Sequence, residues 1–453
     1  MEDTSAPLEA LPSEIKNKIL RELPDARSVL NVALTGPIFY NHIFYDDDGS
    51  NERKISSAIV VANVGITLLP MAIARYEASL ISWKRVCPSN TEAPIPVTTS
   101  WLCEQVVEFV DEHLTGHHIT QLPVALSSLS IADNIISCHK AIQHFTEYLS
   151  TRTAGYMPDH CRPSSDCMRE AIVPNDRENT RFSKALYIFQ LASELFVINK
   201  YHSVVWDARE ATNIALEAFW RKFAPWENQQ VRSVQTLLIG YALREIPHAT
   251  LFIPNFSWNK IWELVVLSQG VIGLHNTYRR GHHLIPLDAN FSHLCRSRRI
   301  AFPILSQAPV NNEAWYNSET LWLKRTDQPG QQSLYSCDIA DLLREFPEED
   351  SGPADAWYHI LVQNIRPSRA DETSVFQKKE GFERCARCLA YWGFPFWDRE
   401  RLDYYSQGRF PTMEEMDGKM RKDSGGHLSI SVSILDGSPY YMNHSQSCRC
   451  NNP

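Results

Sequence analysis

The chain has 453 residues and a formal net charge of −9, so it is long enough for two or three packed units. Its mild acidity argues against a nucleic-acid-binding surface, which needs a basic patch. Hydrophobic residues make up 43% and charged residues 21%, with 12 Trp, 19 Phe and 17 Tyr. This balance excludes a disordered chain and is typical of a globular protein.

The sequence shows no pattern that predicts a signal peptide or a membrane-spanning helix. The first residues carry neither a basic region nor an apolar signal core. The longest apolar run, Ala58–Leu69, contains Asn63 and Thr67 and is too short to span a bilayer. Eleven scattered Cys favour reduced thiols over a disulfide framework. We therefore expect a soluble protein of the cytoplasm or nucleus, with no membrane partner.

The first predicted element is an amphipathic helix that begins near Pro12. Proline suits a first helical turn because its missing donor is unpaired there anyway, and Glu14 favours the positive end of the helix dipole. Ile15, Ile19 and Leu23 follow at i, i+4 and i+8. This spacing predicts one apolar stripe along the helix.

Two further short helices are predicted before residue 47. Asp25 can cap the second by accepting a hydrogen bond from a free amide of its first turn. Gly36 and Pro37 break that helix, and a short third helix follows around Phe39 and Ile43. Three short helices in about forty residues bury little surface by themselves, so they need a partner.

The helical period dominates the body of the chain after a polar linker at 46–51. A clean stripe runs from Ile131 to Leu149, and Ser130 with Asp133 is the predicted N-terminal cap. The predicted body helices span 101–114, 131–149, 181–198, 203–222, 228–245 and 259–279. Because no fixed-length repeat is present, we expect an irregular bundle or stack rather than a solenoid.

The pattern weakens after residue 300. Polar, proline-containing loops are predicted up to about 375, then a helix near 376–391 and one short strand over 428–434. The predicted fold class is therefore mainly α, with three regions: an N-terminal three-helix unit at 1–47, a helical body at 48–300 that would bind a target, and a loop-rich region at 301–453.

The clearest metal-like feature is the pair Cys385 and Cys388, because two thiolates at this spacing can reach one tetrahedral zinc. Cys448 and Cys450 are weak candidates for the remaining ligands. The first pair also fits one face of a helix as buried thiols, so we expect no metal and no cofactor. No phosphate-binding Gly-rich loop and no Gly-x-Ser-x-Gly elbow occurs, which predicts a non-catalytic protein.

The N-terminal stretch resembles the F-box. The matching positions are Leu11, Pro12, Glu14, Ile15, Ile19, Leu20, Leu23 and Asp25. The resemblance implies a face that meets a Skp-family adaptor, formed by Leu11, Pro12, Ile15, Ile19, Leu20, Leu23 and Leu30. The body resembles a group of fungal F-box proteins at 181–191, at 225–228 and at 388–402.

This resemblance implies a substrate receptor of a Skp–cullin–F-box ubiquitin ligase. Such a subunit bridges the adaptor, and through it the cullin, to a target protein that the sequence does not identify. An alternative is a non-catalytic scaffold that uses the F-box outside ubiquitin transfer. An enzyme carried on the body is a third class, and a pocket with a strongly shifted pKa would favour it.

Overall fold

The computed structural model is mainly helical. It describes residues 8, 10–45, 50–81, 99–114, 128–155, 173–196, 209–245, 270–280, 324–326, 334–336, 339–364, 393–406 and 409–417. The predicted helix at 376–391 and the predicted strand at 428–434 lie outside these residues. The mainly α class is confirmed, whereas the division at residues 47 and 300 stays a prediction.

The α-helices are numbered in chain order. They are α1 Ser13–Arg21, α2 Ala26–Ala33, α3 Pro37–Phe44, α4 Ser50–Val64, α5 Leu69–Leu80, α6 Thr99–His113, α7 Leu129–Gly155, α8 Asp176–Leu195, α9 Arg209–Trp220, α10 Pro225–Glu245, α11 Gly270–Arg280, α12 Ile339–Glu345, α13 Gly352–Asn364 and α14 Arg399–Tyr405. A 3-10 helix spans Phe394–Phe396. The strands β1 (Lys324–Thr326) and β2 (Leu334–Ser336) pair antiparallel.

The predicted caps are partly right. The Asp25 side chain accepts from the Ser28 backbone N–H at 2.8 Å, as predicted for α2. Helix α7 instead begins at Leu129, so Ser130 is not its cap. The Ser128 hydroxyl accepts from the Ile131 N–H at 3.3 Å, and Glu52 of α4 accepts from the Leu129 N–H at 2.9 Å. A carboxylate from a distant helix therefore satisfies a free amide that local sequence leaves open.

The main hydrophobic core lies between α7 and α8 and the helices around them. The stripe predicted on α7 is confirmed, since Ile135, Ile142, Phe145 and Leu149 are fully buried. Helix α8 is buried nearly all round and packs against α5, α7, α10 and α11. An apolar helix of this kind belongs at the centre of a bundle.

A second, smaller core lies around Trp226 and Trp357. It joins the start of α10 to α12, α13, the 3-10 helix and α14. Helices α12 and α13 lie in the stretch 301–375, where loops were predicted, so that expectation is wrong for 339–345 and 352–364. These helices are short and flanked by proline, and burial against Trp226 stabilises them more than their own periodicity does.

Buried ion pairs connect the C-terminal segment to α8. The Arg401 guanidinium donates to both Glu178 carboxylate oxygens, at 2.7 and 2.6 Å. Arg181 is paired with Asp398, and the ring of Phe182 stacks on Phe396 with centroids 3.7 Å apart. Residues more than 200 positions apart in sequence thus form one packed junction.

Candidate docking surface

Helices α1, α2 and α3 present an unusual amount of apolar surface to solvent. Their exposed large apolar side chains, with those of the flanking residues, are Leu8, Ile15, Ile19, Leu30, Leu34, Ile38, Tyr40 and Tyr45. These are eight of the fourteen exposed large apolar side chains within the described residues, so the remaining six are spread over the whole body. A concentration of this kind indicates an interaction surface. We call these eight side chains the N-terminal apolar surface.

The exposed residues fall on defined faces of α1 and α2. Ile15 and Ile19 are four positions apart on α1, and Leu30 and Leu34 are four apart at the end of α2. Side chains at this spacing lie on the same side of a helix. Ile15 is 44% exposed and Leu34 is 77% exposed, so each pair leaves apolar area open to a partner.

The opposite faces of the same helices anchor them to the body. Leu20, Val29 and Ile43 are fully buried and belong to the main core. The Asn63 side chain donates to the Pro24 carbonyl at 2.9 Å. The three helices are therefore part of the packed molecule, with one side covered and one side open.

Charged groups around this surface are mostly exposed. Lys18, Glu22 and Arg27 extend into solvent, while Asp25 contacts Lys140 of α7 at 3.4 Å. The Ser28 backbone and hydroxyl hydrogen bonds hold the pKa of the Asp25 carboxyl below its ordinary value. Asp25 thus stays ionised as the cap of α2 and as a link to α7.

The sequence-predicted adaptor residues differ in their exposure. Pro12, Ile15, Ile19 and Leu30 are exposed, and Leu11 and Leu23 are partly buried. Leu20 is fully buried in the main core, so it is a packing residue and not part of the open surface.

The expectation for Leu20 is corrected because α1 is apolar on two sides. Leu20 faces α4 together with Lys16, which is also buried and whose aliphatic stem can pack there. Leu34, Ile38 and Tyr40 are exposed residues that sequence reasoning did not place in the site. Their position next to the Gly36–Pro37 break is the signal that could have indicated them.

No candidate metal site accompanies this surface in the described part of the chain. No group of three or more His, Cys, Asp or Glu is placed there to hold a metal ion. The four cysteines considered above, Cys385, Cys388, Cys448 and Cys450, lie outside the described residues. Within the same residues, no single helix is long and apolar enough to cross a membrane, and the bent pair α4–α5 meets that test only jointly, by length and composition.

Comparisons of the chain with protein-family models, with curated proteins and with solved structures gave no significant match. The support for a function therefore comes from the residues and geometry of this chain.

Proposed function

We propose that this protein is a substrate receptor of a Skp–cullin–F-box ubiquitin ligase, and that residues 11–44 dock on the Skp-family adaptor. The observation that carries the proposal is the coincidence of two independent features. The helices whose sequence resembles the F-box are also the ones that expose most of the large apolar side chains in the described chain.

Docking of this surface would be driven by apolar burial. Ile15 and Ile19 offer two adjacent aliphatic side chains on α1. Burying such a side chain completely contributes roughly 1.5–3 kcal/mol. Leu30, Leu34 and Ile38 add further aliphatic area on the next two helices.

The proposed role involves no covalent chemistry by this chain. The adaptor would connect it to the cullin, and the helical body would hold a target protein, with the complex acting in the cytoplasm or nucleus. The gain is one of proximity, because a target lysine held near the conjugating enzyme reacts at a high effective concentration. The continuous core between α2 and α7 supports this role, since it fixes the docking helices to the body.

The test is binding of a Skp-family adaptor to the full chain, measured by calorimetry. Replacing Ile15 and Ile19 together by alanine should weaken binding roughly ten- to fiftyfold, since docking can bury only the exposed 44% and 37% of these two side chains. More than half of each side chain is covered in the free chain, so the melting temperature of the variant is measured beside its affinity and should fall less than that of a core variant such as Ile142→Ala.

The matched control is the double variant Leu80→Ala with Ile214→Ala. Both aliphatic side chains are exposed and lie on α5 and α9, outside the docking helices, so their loss should leave adaptor affinity unchanged. No adaptor binding by the unaltered chain would rule out the receptor role. Adaptor binding without recruitment of a cullin would instead favour the scaffold.

A further inference from the structure

Three hydrogen bonds join α1, α3 and α4 in a closed circuit. His42 Nε2 lies 3.1 Å from Asn17 Oδ1 and donates to it when that nitrogen carries the proton. Asn17 Nδ2 donates to Asn51 Oδ1 at 3.0 Å. Asn51 Nδ2 donates to the His42 carbonyl at 3.0 Å. Each of the three residues therefore both donates and accepts, His42 through its ring nitrogen and its backbone carbonyl.

The circuit joins the end of α3 and the start of α4 through three side chains. The His42 carbonyl belongs to the last turn of α3, where backbone acceptors lack helical partners. Asn51 lies in the first turn of α4, and its side chain satisfies this carbonyl. Asn17 then links both helices to α1 from the middle of that helix.

Asn17 is placed to set the rotation of α1 about its own axis. It lies two positions from both Ile15 and Ile19, and residues two apart point to roughly opposite sides of a helix. Helix α1 packs mainly on α4, through Leu20 and Lys16. Apolar packing is non-directional, whereas hydrogen bonds at about 3 Å require one orientation.

We propose that Asn17 is a positioning residue for the adaptor-docking surface. By bonding to His42 and Asn51 on the packed side of α1, it fixes the angle at which Ile15 and Ile19 face the partner. This inference rests on the proposed function. Asn17 itself touches no partner.

The experiment compares Asn17→Ala with the unaltered full chain in calorimetry against the same Skp-family adaptor. Loss of two hydrogen bonds should weaken adaptor binding about three- to tenfold and speed amide hydrogen exchange in α1. Asn17→Asp keeps the acceptor for His42 but places a carboxylate oxygen against the Asn51 Oδ1 acceptor, so its affinity should fall at least as far as that of Asn17→Ala.

Two controls separate positioning from loss of stability. Asn276→Ala removes an exposed asparagine of α11, outside the docking helices, and should leave affinity unchanged. Ile142→Val destabilises the main core at a fully buried site away from α1, and it should lower the melting temperature without weakening docking.

The outcomes are distinguishable. If Ile15→Ala with Ile19→Ala weakens binding as predicted but Asn17→Ala binds within twofold of the unaltered chain, the positioning role is wrong and the proposed function stands. The positioning role is equally wrong if Ile142→Val weakens docking as much as Asn17→Ala. If the unaltered chain binds no adaptor, the proposed function fails and the positioning role fails with it.

Discussion

Replacing Glu178 by alanine should lower the free energy of unfolding by about 3–5 kcal/mol, because it leaves a buried arginine without its counter-ion. Glu178 is 1% exposed and Arg401 is 5% exposed. Both carboxylate oxygens accept from the guanidinium, and one also accepts from the Asp398 N–H at 3.1 Å. The other accepts from the Asn175 N–H at 3.2 Å and completes the capping box of α8.

Urea denaturation followed by tryptophan fluorescence measures this effect, since Trp397 is buried in the C-terminal core. The control is Glu217→Ala, which removes a carboxylate from an exposed pair with Arg221 on α9 and should cost less than about 1 kcal/mol. Replacing Glu178 and Arg401 together by methionine should recover part of the loss, because no unpaired charge remains. Equal costs for Glu178→Ala and Glu217→Ala would contradict the prediction.

Acidification from pH 7 to pH 5 should destabilise the fold through buried histidines. Burial lowers the pKa of His139 and of His359 to about 4. Both are neutral in the folded protein at pH 7, whereas the unfolded chain takes up protons near pH 6.5. The contribution of these two neutral histidines to the free energy of unfolding is therefore complete above about pH 6.5, and it is lost as the pH falls towards 4.

The expected loss is roughly 2 kcal/mol per histidine at pH 5, from about 1.4 kcal/mol per pKa unit. Burial also lowers the pKa values of His144 and His275, which act in the same direction. Burial raises the pKa values of the Glu348 and Asp355 carboxyls. These two carboxyls oppose the loss of stability on acidification, because the folded protein takes up their protons at a higher pH than the unfolded chain does.

The test is the pH dependence of unfolding in His359→Phe. The His359 ring packs against Phe394 and Phe410, with centroids 5.9 and 5.2 Å away, so phenylalanine suits the site. This variant should lose about 2 kcal/mol less than the unaltered chain between pH 7 and pH 5. The more exposed His113 provides a control, His113→Phe. An unchanged pH dependence in His359→Phe would overturn the assignment.

The helical body could be predicted from the sequence to a large extent. The stripe on α7 repeats in register with the helical period, and its members are buried as that period requires. The Asp25 cap and the Gly36–Pro37 break are likewise local, since each depends only on residues within three positions of one another. Helix capping and the preference of proline for a first helical turn do not depend on distant parts of the chain, so they can be predicted from neighbouring residues.

The N-terminal apolar surface could be predicted from the sequence only in part. The spacing of Ile15, Ile19 and Leu23 gives an apolar stripe, but Leu20 makes α1 apolar on a second side. Periodicity does not say which of two apolar sides faces the core; packing against α4 decided that Leu20 is covered and that Ile15 and Ile19 stay open. The F-box assignment itself stays a prediction that adaptor binding tests.

The mainly helical class, most of the body helices and an N-terminal unit with more apolar surface than it can bury could all be predicted from the residues. The helices at 339–364, the Asn17 circuit and the pairing of Glu178 with Arg401 across 223 positions could not, because they depend on the folded chain. Helical period and capping depend on neighbours within about one turn, whereas burial of a charge or a short helix depends on partners that only the folded chain brings near.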